Sequence, residues 1–114
     1  METKEMAMLA AKALDSKKAD DIMIIDIALK SAIADYMIIA SAGNERLLGA
    51  CVDEVEDQLA KEEILVKSIE GKKESGWILM DYGDIIVNVL TDEMRGRYNI
   101  EKIWGDCEVI KLED

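Results

Sequence analysis

The chain has 114 residues. Against a usual domain size of roughly 100–200 residues, that allows one domain with a single core. Asp and Glu outnumber Lys and Arg 25 to 14, a formal charge of -11, so the chain lacks the cationic surface that gripping DNA or RNA phosphates requires. Histidine is absent, which excludes Ser-His-Asp and Cys-His nucleophile activation and removes the commonest ligand of catalytic zinc.

Half of the residues are hydrophobic and a third are charged, an ordinary globular balance. The acidic excess suits a basic protein partner as well as it suits solubility. Met6, Leu9, Ala10, Ala13 and Leu14 recur at helical spacing and predict a first amphipathic helix over Glu2 to Leu14, followed by a polar loop to residue 20. That helix carries acids and no arginine, unlike a mitochondrial leader, and no apolar run reaches the length of a membrane span. A cytoplasmic protein is expected.

The run "DIMIIDI", Asp21 to Ile27, predicts a buried strand, and "DYMIIAS", Asp35 to Ser41, predicts a second. The short connection between them fits only an antiparallel hairpin. Asn44 is placed to cap a long helix, Glu45 to about Lys61, with Leu48, Cys51, Val52, Val55 and Leu59 on its apolar face and Asp53, Glu54, Glu56 and Asp57 on its solvated face. Cys51 thus reads as a small hydrophobe, and its distance from Cys107 offers no C-x-x-C redox or zinc motif.

"EILVKSI", Glu63 to Ile69, predicts a third strand, and "EGKKESG", Glu70 to Gly76, a turn. Two further strands fill "WILMDYGDIIVNVL", Trp77 to Leu90, joined by Asp81-Tyr82-Gly83-Asp84. Gly83 makes this tetrapeptide a turn. Tyr82 between two carboxylates, a poor choice for a position of positive φ, adds a second and weaker reading as an exposed contact. Asn88 interrupts the fifth strand and, if buried, needs hydrogen-bond partners. Thr91 or Asp92 caps a short last helix with acids early and Arg95 and Arg97 late, Ile100, Ile103 and Trp104 form another helical stripe, and residues 107–114 read as a charged tail.

The order of elements predicts an α/β fold: a single domain with a mixed, about five-stranded sheet covered by helices. Asp26, Asp35, Asp81 and Asp84 sit at predicted strand ends, yet the chain contains no D-x-D pair and no glycine-rich phosphate loop, so metal-dependent phosphoryl transfer has weak support. The two tryptophans serve either as core fillers or as half-exposed interface anchors.

In order and together, "KSAIADYMIIASAGNERLLGACVDEVEDQL", "IEG", "SGWILMDYGDIIVNVL" and "RGRYNIEKIWGD" resemble the ribosomal silencing factor, or Iojap-like, family. The resemblance implies a nucleotidyltransferase-like fold without the catalytic acids, hence no enzyme, catalytic residue, metal or cofactor. It implies binding to the large ribosomal subunit through its protein fourteen, a steric block of small-subunit joining and lower translation when nutrients are short, with a homodimer possible and no DNA or membrane partner. On that reading Trp77, Asp81, Tyr82, Asp84, Arg95 and Tyr98 are the expected ribosomal contacts. Asn88 and Leu90 depart from the family's usual histidine and aromatic, and Leu90 implies a repacked core. A metal-dependent nucleotidyltransferase-like enzyme and a homodimeric module with a non-ribosomal partner are the rival readings.

Overall fold

In a computed structural model describing residues 1–112, the isoleucine-rich runs lie at the centre of a six-stranded sheet ordered β3-β4-β5-β2-β1-β6. The elements are α1 (Thr3–Ser16), β1 (Asp20–Asp26), β2 (Tyr36–Ala42), α2 (Glu45–Lys61), β3 (Ser68–Glu70), β4 (Trp77–Asp81), β5 (Ile85–Thr91), α3 (Asp92–Tyr98) and β6 (Glu108–Ile110). Short 3-10 turns span Lys73–Ser75 and Ile100–Trp104. β1 and β2 form the expected antiparallel hairpin, with Asp26 opposite Tyr36, while β2 and β5 run parallel because α2, β3 and β4 intervene between them.

Strand alternation sends Ile24, Ile38, Ala40, Val87, Val89, Ile78 and Met80 to one face, where α1 and α2 pack over them. Leu14, Ile38, Leu48, Val55, Leu59 and Met80 are wholly buried there. Each large aliphatic contributes about 1.5–3 kcal/mol of burial. The α2 boundaries follow from chemistry: Asn44 Oδ1 accepts from Leu47 N at 2.8 Å, and the Ile64 amide folds back to the Leu59 carbonyl at 2.9 Å. Cys51 is fully buried in this layer, and burial pushes its thiol up, away from the reactive thiolate. Among the described residues no helix is long and apolar enough to cross a membrane.

Two expectations are corrected. The third strand is Ser68–Glu70 rather than Glu63 to Ile69, because Glu63 takes a left-handed φ of 62° and Ile64 and Val66 are drawn under α2 to close the helix-side core. The residues expected as a charged tail supply a strand: Glu108–Ile110 pairs antiparallel with β1, satisfying edge backbone groups that would otherwise be open, and Ile110 packs into the helix-side core. The last two residues of that tail, 113 and 114, lie outside the described residues. Lys30 and Asp106 pair across the surface between the β1–β2 loop and the chain leading into β6; their hydrogen bond raises the Lys30 pKa and lowers that of Asp106.

Candidate functional site

On its other face the sheet presents Trp77, Leu79 and Asp81 from β4, Ile86, Asn88 and Leu90 from β5, and Met37, Ile39 and Ser41 from β2. Leu79 stands beside Asn88, and Asn88 beside Ile39. α3 and the Ile100–Trp104 turn cover only part of this face, over Ile25, Ile39, Ile86 and Leu90, leaving Met37, Trp77, Leu79 and Asp81 half-buried. Trp77 is held in place: its indole Nε1 donates to Asn88 Oδ1 at 2.9 Å, and Asn88 Nδ2 contacts Met37 Sδ at 2.8 Å. Asn88 is 2% exposed. It thus has the partners that its burial requires.

Tyr98, at the end of α3, lays its ring against Trp77 with centroids 5.3 Å apart and planes tilted by 45°. Tyr98 is 51% exposed, so the pair forms a ledge that is apolar on top and polar at its hydroxyl tip. An open depression of about 290 Å³ lies beside it, lined by Glu70, Gly71, Ser75, Trp77, Leu79 and Met94. Gly71 makes this close approach possible at φ +91°, since a Cβ there would lie 2.1 Å from the Trp77 carbonyl oxygen. Exposed Glu70 brings negative charge to the lining of the depression, while half-buried Asp81 and exposed Asp84 lie at the β4–β5 turn, the other end of β4 from Trp77.

The β4–β5 tetrapeptide is a turn, as expected. Asp81 Oδ1 accepts from Gly83 N at 2.7 Å, Tyr82 N donates to the Ile85 carbonyl at 3.0 Å, and Gly83 takes φ +89° beneath the Lys67 side chain. Tyr82 is not exposed. It is 5% accessible and turned to the opposite, helix-covered face, because alternation from Met80 carries it there. Its hydroxyl has no hydrogen-bond partner among the described residues, and burial, with Glu56 nearby, pushes its pKa up to about 12.

Arg95 is also not on the surface. It is 8% exposed, with Nε donating to both Glu101 carboxylate oxygens at 3.3 Å and Nη1 donating to the Asp21 carbonyl at 2.7 Å and Ser41 Oγ at 3.0 Å. Of the six expected contact residues, the fold therefore puts Trp77, Tyr98 and Asp81 on one face, with Trp77 and Tyr98 in contact and Asp81 at the other end of β4, leaves Asp84 exposed at the turn that follows Asp81, and buries Tyr82 and Arg95. Leu79 and Met94, which line the depression, were not expected. The period-2 relation of Leu79 to Trp77 and the one-turn spacing of Met94 and Tyr98 are the sequence signals that identify them.

A larger hollow, about 770 Å³, opens where β2 and β5 end and α2 and α3 begin, the usual place for ligands in parallel sheets. It is lined by Glu45, Glu74, Asp92 and Glu93 against Arg46 alone, so a nucleotide phosphate would meet a repulsive field there. Among the described residues no group of three or more carboxylates and cysteines is arranged to hold a metal ion. Asp26 Oδ1, like that of Asp81, is engaged by a nearby backbone amide, here Ala28 N at 3.2 Å.

The family described as "Ribosomal silencing factor during starvation" matches residues 1–114. The ribosomal silencing factor RsfS of Bacillus subtilis is 37% identical over 113 residues, covering 99% of this chain and 96% of that protein. A crystal structure of a Chromobacterium violaceum protein superposes with a TM-score of 0.89 at 31% identity, over 92% of this chain and 88% of that one. One from Bacillus halodurans gives 0.83 at 29% identity, over 96% of this chain and 99% of that one. The α/β fold and these similarities together place the chain in the ribosomal silencing factor family, whose members are named as regulatory factors rather than as enzymes.

Proposed function

We propose that this protein is a non-enzymatic, cytoplasmic factor that uses the Trp77–Tyr98 face to bind the large ribosomal subunit through its protein fourteen. Occupying that surface keeps the small subunit from joining and lowers translation when nutrients are limited. The observation that carries the reading is the aromatic pair itself: two packed rings, one of them half exposed, beside an apolar depression that Glu70 also lines. Such a surface fits a partner that presents an aliphatic side chain flanked by Lys or Arg, which is the character of a basic ribosomal protein, and the chain's charge of -11 steers it there. Asp81 and Asp84, at the turn end of β4, are outlying contacts of the same partner. Tyr82 and Arg95 support the surface from within and make no direct contact.

Homodimerisation has its own support in Leu29, Ile33, Ile103 and Val109, large apolar side chains left exposed on the β1–β2 loop and the C-terminal segment that the Lys30–Asp106 pair brings together. Sedimentation equilibrium of wild type and Leu29→Glu distinguishes a dimer through this patch from a monomer.

Co-sedimentation with purified large subunits, followed by addition of small subunits, tests the main reading. The wild type is expected to pellet with large subunits and reduce the yield of joined ribosomes, and Trp77→Ala with Tyr98→Ala to do neither while remaining folded. Wild-type protein that stays in the supernatant, or pellets without lowering that yield, defeats it.

A further inference from the structure

α3 has only seven residues, too few to hold a helix without tertiary anchors, yet it delivers one of the two rings of the aromatic ledge. Its N-terminal cap is long, with Met94 N donating to Thr91 Oγ1 at 3.4 Å, and its C-terminal end stops at Asn99 with a left-handed φ of 45°. Arg95 supplies the firmer attachment. From the middle of α3 one guanidinium reaches the start of β1, the end of β2 and the following 3-10 turn through Asp21, Ser41 and Glu101.

The partner atoms show that this attachment is built into the fold. β1 carries a register break between Asp20 and Met23, and Asp21 takes a left-handed φ of 49°. A bulge of this kind re-aims a backbone group out of the ladder. The Asp21 carbonyl lies 2.7 Å from Arg95 Nη1, the shortest of the guanidinium's hydrogen bonds. Ser41, 3% exposed, stands next to Leu90 in the parallel pair, and Leu90 stands next to Trp77 in the antiparallel one. Arg95 therefore ties α3 to the same strip of sheet that carries Trp77. A planar fork of donors can serve these partners at once, whereas the ammonium of lysine cannot reproduce the geometry.

We infer that Arg95 is a positioning residue for the partner face: its guanidinium sets the seat of α3 across the ends of β1 and β2, and thereby the packing of Tyr98 on Trp77. This rests on the proposed ribosome-binding role of that face. Asn88 orients Trp77 from below and Arg95 brings Tyr98 to it, so the ledge is assembled before any partner arrives. Preorganisation of this kind strengthens binding by removing ordering costs from the encounter.

The test combines a readout in the free protein with one on ribosomes. Proton NMR of wild type, Arg95→Met, Arg95→Lys and Glu101→Gln measures the nuclear Overhauser contacts between the Trp77 and Tyr98 rings. Titration of large subunits measures affinity for wild type, Tyr98→Ala, Arg95→Met and the Tyr98→Ala/Arg95→Met double variant. Both Arg95 variants are expected to lose the ring contacts, Arg95→Met to weaken binding about tenfold, as Tyr98→Ala does, and the double variant to bind no more weakly than Tyr98→Ala alone. A merely stabilising arginine predicts unchanged affinity of the folded Arg95→Met protein, and an arginine that touches the partner independently of Tyr98 predicts additive losses; either result counts against the inference.

Ring contacts that persist in Arg95→Met, or additive losses in the double variant, overturn the inference. Should Arg95→Met fail to fold, Glu101→Gln decides, because the Glu101 side chain is 25% exposed and its removal spares the bonds to Asp21 and Ser41. It is expected to weaken the ring contacts and to reduce affinity about threefold, and unchanged ring contacts would overturn the inference. If Tyr98→Ala binds ribosomes normally, the partner surface is wrong, while the NMR arm still decides what Arg95 does.

Discussion

The face of the sheet under α1 and α2 and the face under α3 use the same strands to different ends. Beneath the two long helices the buried side chains are apolar, and Tyr82, which brings a hydroxyl into that layer, has no partner for it among the described residues. On the α3 side are Ser41 and Asn88 from the strands and Arg95 from α3 itself, and their polar groups are bonded to one another's elements or to Trp77. An aliphatic layer contributes stability without direction, because hydrophobic burial is proportional to area and indifferent to angle. A buried hydrogen-bond network contributes little net stability and much geometry, since each member is costly to leave unpaired. This chain thus keeps cohesion on one side of the sheet and orientation on the other.

That contrast is most sharply tested on the helix side, where Ile38 has no exposure. Ile38→Ala is expected to cost about 3–4 kcal/mol in urea unfolding while the remaining folded protein binds large subunits with wild-type affinity. A loss of affinity without loss of stability would erase the distinction.

Tyr82 gives the next largest effect, and it depends on pH. Its hydroxyl titrates near 10 in the unfolded chain and at about 12 in the fold, so the folded state favours the neutral phenol. The corresponding stability is complete below pH 10 and is lost as pH rises toward 12, a difference of about 2–3 kcal/mol between wild type and Tyr82→Phe. At neutral pH the same substitution is expected to raise stability by about 1 kcal/mol, because it removes a buried hydroxyl that bonds to none of the described residues. Denaturant titrations of both proteins at pH 7, 9 and 11.5 check each statement.

On the other side, the Trp77 indole is the hydrogen-bond donor to Asn88 Oδ1. Stranding that oxygen, Trp77→Phe is expected to cost about 2 kcal/mol, and Asn88→Leu in the same chain to recover most of it. Ribosome binding should stay impaired in the double variant, since the loss of orientation is not repaired by restoring stability. Thermal melts and co-sedimentation on the wild type, both single variants and the double variant separate the two quantities.

Much of the fold was legible in residue order. Isoleucine runs marked β1 and β2, the short link between them required a hairpin, Asn44 and the stripe from Leu48 to Leu59 marked α2, and Gly83 marked the β4–β5 turn. Less of the surface was. Tyr82 looked like an exposed aromatic because acids flank it, but a residue continuing a strand's alternation follows the strand, and Met80 had already determined which side it would take. Arg95 looked like a surface cation near a helix C-terminus, because nothing in sequence relates it to Asp21 or Ser41.

The β6 strand was hidden for a similar reason: three residues of Glu-Val-Ile form a strand only where an open edge is offered, and that edge belongs to β1. By itself, then, the sequence determined the local elements, the net charge and the absence of histidine chemistry, all of which depend on near neighbours or on composition. The tertiary structure alone decided which aromatics reach the surface, where Arg95 is anchored and how Tyr98 meets Trp77. Those are contacts between residues far apart in the chain, and only the packing of the sheet brings them within hydrogen-bonding or van der Waals distance.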